Sequence, residues 1–392
     1  MTEREFDLII YGASGFTGRL VAEYIYQTYG TDNLNWAMAG RSEAKLADVR
    51  DEMNISSAVE LITANSDDPN SLARMATRTK LIITTVGPYQ LYGTDLVIAC
   101  ARAGTDYVDL CGEPAWMRDI IHNYSDTAKD TGARIVLSCG FDSIPFDLGV
   151  LFLQNAAKES FGHTLPKVRT RVRKMKGTFS GGTAASFMAS MSRATKEPEV
   201  LNWLKDPFAL TPDFNGPPQP TGHKPIYEDD IGSWSAPFIM ASINTKNIHR
   251  SNALMDHAYG EDFTYGEMML TGPGDAGEAA ANGLANHNPF GNNPPKPGEG
   301  PSKEERENGF YELLIIGDGL NGEHIRAMVS GDKDPGYGST SKMIAETAMC
   351  LLQDRPSTQT GGGIFTSAPA LGTALITRLQ GQAGLKFEIE DS

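Results

Sequence analysis

The 392-residue chain predicts a doubly wound, parallel α/β sheet followed by a smaller α+β unit. Two observations carry this expectation. Short apolar runs alternate with helical stretches through roughly the first third of the chain, and a glycine-rich turn joins the first run to the first helix. The runs show little polar alternation, as strands buried on both faces require.

Taken in order, FDLIIYG (6–12) reads as a strand and TGRLVAEYIYQTYG (17–30) as a helix with Leu20, Val21, Tyr24 and Ile25 on its apolar face. LNWAMAGRS (34–42) is a second strand and EAKLADVRDEM (43–53) a helix. AVELITAN (58–65) and KLIITTVGPY (80–89) give the third and fourth strands, and DLVIACARAG (95–104) is a helix ending at Gly104. DYVDLCGE (106–113) is the fifth strand, the stretch from Ala115 to Gly132 a helix, and ARIVLSCGFDSIP (133–145) the sixth strand. These elements define a first domain at 1–147.

Past Pro145 the pattern changes, marking a second domain at 148–335. Residues 146–162 look helical, KVRTRVRKMKGTF (167–179) alternates like a strand, and GGTAASFMASMSRAT (181–195) reads as a helix opening on glycines. The stretch 271–309, dense in Gly and Pro, is expected to be an exposed loop. Residues 310–332 read as a hairpin turning at Asn321-Gly322. A helix over 341–354 and a last strand at 385–391 complete the reading.

The formal charge of −15 argues against nucleic acid as a partner, because phosphate recognition needs a basic footprint. No basic and apolar leader opens the chain and no segment has the length of a membrane span, so a cytoplasmic protein is expected, with association at a lipid surface left open. Cys100, Cys111, Cys139 and Cys350 form no CxxC pair, so reduced buried thiols and no metal site are expected.

Gly12, Gly15 and Gly18 stand between the first strand and first helix. In that context the first permits a tight turn, the second lets backbone approach a pyrophosphate, and the third lets helix and strand pack closely. The helix N-terminus then offers N–H groups to the phosphates. Gly12, Ala13, Ser14, Gly15, Phe16, Thr17, Gly18 and Arg19 are therefore the expected contacts of a dinucleotide. The second strand ends in Arg41-Ser42 where an NAD site would carry an acidic residue; arginine and a hydroxyl suit the 2′-phosphate of NADP(H). A helix N-cap is the structural alternative for Ser42. Gly87-Pro88 closes the fourth strand, where it either lines the nicotinamide ribose or simply ends the strand.

No tyrosine is followed by lysine four residues on, which removes the Tyr-x-x-x-Lys acid pair of the short-chain reductases. Seven motifs in order, YGASGFTGR, AGRS, VGPYQLYG, YVDLCGE, CGFDSIPFDLG, GTFSGGTAAS and DPGYGSTSKMIAETAMCLL, resemble the saccharopine dehydrogenase-like oxidoreductases over nearly the whole chain. They are most similar to the enoyl reductase branch of that family. The resemblance implies an NADP-binding Rossmann domain, a second domain over the cleft, and C-terminal helices (336–392) returning to the first domain. It also implies reduction of a C=C bond in a lipid-like or polyketide acyl substrate, free or carrier-bound. The namesake enzymes reduce an imine formed from an aldehyde and glutamate; the absence of arginine in GFDSIP and SGGT tilts the reading away from such a polycarboxylate. A sensor that binds NADPH without turnover stays as a third reading, and a homodimer is compatible with any of them.

Hydride addition needs donors for the developing negative charge and an acid for the proton. The donor candidates are the N–H groups of Gly181, Gly182 and Thr183 at the start of a helix, with Ser180 as a further donor or as an N-cap. The acid candidates are Tyr89, Ser143 and Tyr337, with Asp142 or Glu113 as an orienting carboxylate. Lys167, Arg169, Arg171 and Arg173 share one strand face; they either dock an acyl carrier protein or pair with the chain's own carboxylates.

Overall fold

The computed structural model describes residues 4–287, 295, 296 and 298–390. Its first sheet contains β1 (Phe6–Tyr11), β2 (Trp36–Gly40), β3 (Glu60–Thr63), β4 (Thr79–Thr84), β5 (Asp106–Val108) and β6 (Arg134–Val136), all parallel. The order β3-β2-β1-β4-β5-β6 reverses between β1 and β4, which opens a crevice at the carboxyl ends of those two strands. Leu8, Ile9, Ile10, Leu81, Ile82 and Ile83 are wholly buried there, as strands sandwiched between helices must be. Helices α1 (Phe16–Tyr29), α2 (Glu43–Glu52) and α3 (Pro69–Arg78) connect the first four strands. The short helix α4 (Tyr89–Tyr92), then α5 (Thr94–Ala103) and α6 (Pro114–Thr131), connect the rest.

The second sheet is mixed. It comprises β7 (Lys167–Lys176), β8 (Ile226–Glu228), β9 (Ser233–Pro237), β10 (Thr264–Gly272), β11 (Phe310–Asp318) and β12 (His324–Gly331), with β14 (Leu385–Glu390) at its edge, while β13 (Gly363–Phe365) lies in the first sheet. The order is β14-β12-β11-β7-β10-β9-β8, with only the β7–β10 pair parallel. Helix α7 (Ile144–Phe161) bridges the two sheets. A Cβ on its Gly149 would lie 2.3 Å from Ile315 on β11, so the helix rides directly on the second sheet. Helix α8 (Gly181–Lys196) follows β7.

Two expectations change, and one open alternative is narrowed. The first sheet has a seventh strand: β13 pairs in parallel with β6, so the chain returns to its first domain with a strand as well as helices. The stretch 271–309 is not one loop. It contains a helix at Gly274–Ala285 and a short capped helix at Lys303–Glu307, while residues 288–294 and 297 lie outside the described residues. The basic row of β7 is engaged within the chain. Arg169 reaches Asp230, Asp318 and Glu228; Arg171 pairs with Glu228 at 2.5 Å; Arg173 pairs with Glu390 and Glu312. Val168, Thr170 and Val172 on the opposite face are buried, so the predicted alternation holds, and the three arginines of the row follow the self-pairing reading while Lys167 stays exposed. All four cysteines are buried free thiols.

Candidate active site

The glycine turn has the geometry of a phosphate cradle. Gly12 has φ +88°, and a Cβ there would press on Val86 and Thr85 at 2.7 and 2.9 Å. At Gly18 a Cβ would lie 2.1 Å from the carbonyl oxygen of Gly12, so only glycine lets α1 sit this close to the end of β1. The first bond within α1 runs from Arg19 N–H to Gly15 C=O at 3.1 Å, leaving the N–H groups of Phe16, Thr17 and Gly18 without an intrahelical acceptor. No side chain caps this end. These bare N–H groups facing the crevice fit the pyrophosphate of a dinucleotide.

Of the other predicted contacts, Ser14 lies beside Gly40 at the end of β2, next to exposed Arg41. Ser42 caps α2, its Oγ accepting Lys45 N–H at 3.4 Å, which leaves its hydroxyl proton to donate elsewhere. Two expectations are corrected. The Ala13 side chain is buried in the core and its N–H bonds Ala39 C=O at 3.2 Å, so this residue has nothing left to offer a phosphate. Arg19 turns aside to Glu52 at 3.5 Å.

Past the turn, a cavity of about 470 Å³ opens between the two sheets. Thr17, Thr85 and Gly87 form its wall on the cofactor side, while Pro88 stands just behind as the N-cap of α4. The opposite wall is one face of α8, with Gly182, Thr183, Ser186, Phe187, Ser190 and Met191, repeating every three or four residues as a helix face does. Met175, Leu204, Phe238, Ile239 and Met240 complete a largely apolar enclosure. Among the described residues lining it there is no lysine, arginine or histidine, and its titratable side chains are Asp142, Tyr89 and Tyr337.

The acid candidates separate clearly. Tyr89 reaches the cavity wall, but its hydroxyl accepts Leu110 N–H at 3.0 Å and donates to Thr84 C=O at 3.3 Å, so its proton is committed to the backbone. Ser143 is buried outside the lining, its Oγ accepting Asn247 Nδ2–H at 2.8 Å; it faces the helix Ala241–Leu254 rather than the cavity. Glu113 is a helix cap, its two carboxylate oxygens accepting Tyr89 and Gln90 N–H at 2.8 and 3.0 Å. Tyr337 does line the cavity. Its hydroxyl accepts Ser180 N–H at 2.5 Å and lies 3.0 Å from Thr183 Oγ1, and burial raises its pKa.

The SGGT helix start behaves partly as expected. Ser180 sits at the N-cap of α8 but its side chain makes no capping bond. Gly181 N–H is spent on Glu299 C=O at 3.2 Å, and Ser180 N–H on Tyr337. Gly182 and Thr183 keep their N–H groups beyond the reach of an intrahelical acceptor, because the first such bond runs from Ala184 N–H to Ser180 C=O. Both residues line the cavity.

Sequence reasoning missed several parts. Phe16 packs edge-on against Tyr337 at 5.2 Å, and Gly300 lies against the Phe16 ring so closely that a Cβ would come within 2.4 Å. The segment around Glu299–Gly300 therefore joins the glycine turn to the start of α8. The run Phe238–Met240, apolar and adjacent to a helix, was the available signal for the far wall. Asp142 was expected as an orienting carboxylate. It lines the cavity, as its further reading as a substrate contact expects, and burial raises its pKa to about 7.

Comparison with known proteins agrees with this geometry. Residues 8–136 match the family model for the saccharopine dehydrogenase NADP binding domain, so NADP(H) is the cofactor of this domain. A Mycobacterium tuberculosis protein named for trans-acting enoyl reduction is 41% identical over 406 residues, spanning 96% of each chain. The trans-acting enoyl reductase of Mycobacterium ulcerans is 37% identical, again over 96% of each. Among solved structures, the apo saccharopine dehydrogenase (L-Glu forming) of Saccharomyces cerevisiae covers 98% of this chain and 100% of its own at a TM-score of 0.50 and 14% identity, a likeness of fold. The chain therefore belongs to the saccharopine dehydrogenase-like, NADP-binding oxidoreductases, among relatives named as mycobacterial trans-acting enoyl reductases.

Proposed function

We propose that this oxidoreductase saturates a carbon–carbon double bond in an apolar acyl thioester, as the names of its relatives suggest. The observation that carries the reading is the cavity wall: apolar and hydroxyl side chains with no cation among its described residues. A saccharopine-type substrate brings several carboxylates, and burying them without cationic partners would cost several kcal/mol per charge, roughly. An acyl chain meets no such penalty on Met175, Phe187, Met191, Leu204 and Met240.

When bound, NADPH supplies the hydride. The Phe16–Gly18 N–H groups hold its pyrophosphate, and Arg41 with Ser42 takes the 2′-phosphate. Gly182 and Thr183 then direct their N–H groups at the thioester carbonyl oxygen, where charge accumulates as the β-carbon is reduced. Their bonds strengthen as that oxygen becomes an enolate, so they favour the transition state over the ground state. Whether the thioester arrives free or on a carrier protein does not alter this chemistry.

The test is NADPH oxidation by purified protein in parallel cuvettes, one with an α,β-unsaturated thioester and one with an aldehyde acid plus glutamate. Consumption with the thioester alone is expected. Consumption only in the presence of the amine would move the protein to imine reduction, and none in either cuvette would remove the proposed activity.

A further inference from the structure

Saturating the double bond requires a proton at the α-carbon, and among the described residues lining the cavity three titratable side chains carry one, set beside serine and threonine hydroxyls that are far weaker acids. Tyr89 is committed to backbone on both sides of its oxygen. Tyr337 is held by Ser180 and Thr183, where it secures the start of α8. The third is Asp142. It follows Phe141 in the loop between β6 and α7, lines the cavity, and has its Oδ2 3.6 Å from where a Cβ on Gly112 would stand.

Resting on the proposed function, we infer that Asp142 is the proton donor of the reaction, delivering its carboxyl proton to the α-carbon of the substrate. The step balances. Hydride adds to the β-carbon, the π pair shifts through the α-carbon onto the carbonyl oxygen as an enolate, and the enolate then takes the Asp142 proton at the α-carbon. The C=O bond re-forms, Asp142 is left as a carboxylate, and water reprotonates it once product leaves.

The surroundings suit a carboxyl that must begin neutral. Burial pushes Asp142 up to about 7, and no cation among the described lining residues opposes this. From β10, Glu267 faces the same region. Asn244 Nδ2–H and Tyr265 O–H each donate to it at 2.8 Å, and burial with the nearby Asp142 charge pushes it to about 8 despite Arg171. Burial raises both carboxyls, and a charge on one disfavours a charge on the other, so Glu267 resists adding a negative charge beside Asp142. Tyr337 and Tyr89 across the cavity are uncharged in the same range, since burial raises both.

The test combines kinetics with a readout that needs no turnover. In Asp142→Asn, kcat with an enoyl thioester should fall by roughly 10²- to 10⁴-fold while the Kd for NADPH stays within about twofold. The wild-type kcat/KM should decline as pH rises through about 7, the limb on which the acid is lost, and this limb should vanish in the variant. Independently, the infrared difference between wild-type and Asp142→Asn apoprotein should contain a protonated-carboxyl band that disappears near pH 7. Near-wild-type kcat in the variant, or no such band, overturns the assignment. A wild-type protein inert to enoyl thioesters would instead defeat the proposed function, and the infrared titration would still report on Asp142.

Discussion

Gly18→Ala tests the cofactor cradle most directly. The added methyl would start 2.1 Å from the Gly12 carbonyl oxygen, 2.7 Å from its carbon and 2.9 Å from Ala13 Cα, all of them backbone. No side chain can rotate away, so the N-terminus of α1 must retreat by about 1.3 Å to restore an ordinary 3.4 Å contact. That shift carries the Phe16–Gly18 N–H groups out of hydrogen-bond range of a phosphate held against the turn. A hydrogen bond to a charged group contributes about 1.5–3 kcal/mol, so loss of one should raise the Kd for NADPH roughly 10- to 100-fold. Overpacking should also cost about 1–3 kcal/mol in stability. The assay is NADPH titration by nucleotide fluorescence, with thermal melting of the same samples. Gly283→Ala is the control, since nothing lies within 4 Å of the added methyl in its helix. A Gly18→Ala protein that binds NADPH within twofold of wild type would refute the close-packing argument.

Arg41→Ala should weaken NADPH by roughly tenfold or more and leave NADH nearly unchanged, measured as the ratio of the two Kd values. Tyr337→Phe leaves the Ser180 N–H without its acceptor inside the protein; it should cost about 1–3 kcal/mol in urea unfolding and loosen the start of α8. Glu346, fully buried, accepts Tyr24 and Tyr29 hydroxyls at 2.7 Å and pairs with Arg378 at 3.2 Å; Glu346→Gln should cost about 1–3 kcal/mol in the same assay. Stability should fall as pH rises from 6 to 8. Burial raises Asp109 and Asp142 to about 7 and Glu267 to about 8, so the native state binds more protons than the unfolded chain and loses that advantage through this window. Melting temperatures at pH 6 and 8 check the sign, and Glu267→Gln should shrink the difference.

The cofactor half was legible because its signals are local. A glycine turn between an apolar run and a helix is defined within a dozen residues, and buried parallel strands announce themselves as continuous apolar runs. β13 escaped because three residues, Gly363–Phe365, carry no periodicity; only its pairing with β6 makes it a strand. The helix Gly274–Ala285 was hidden by its glycines. Gly277 is one of them by necessity, since a Cβ there would lie 2.0 Å from the Gly272 carbonyl oxygen. In the site, Ser143 and Asp142 are neighbours in sequence and part company in space. One faces a polar helix and the other an apolar cavity, a difference set by packing that no run of residue types records. The arginines of β7 were visible as a row, but their carboxylate partners come from 50 to more than 200 residues away.

The pairing of β13 with β6 has a consequence for how the chain is made. Arg134 on β6 pairs with Asp106 and also donates to the Leu351 carbonyl at 3.0 Å and to that of Arg355, groups synthesised more than 200 residues later. Until the C-terminal segment emerges from the ribosome, the nucleotide sheet ends on a bare edge at β6, open to pairing with another chain. A gene fragment cut after the sixth strand would leave that edge permanently exposed, and should aggregate rather than yield a free-standing nucleotide-binding module. The first domain to be translated is thus among the last to be finished.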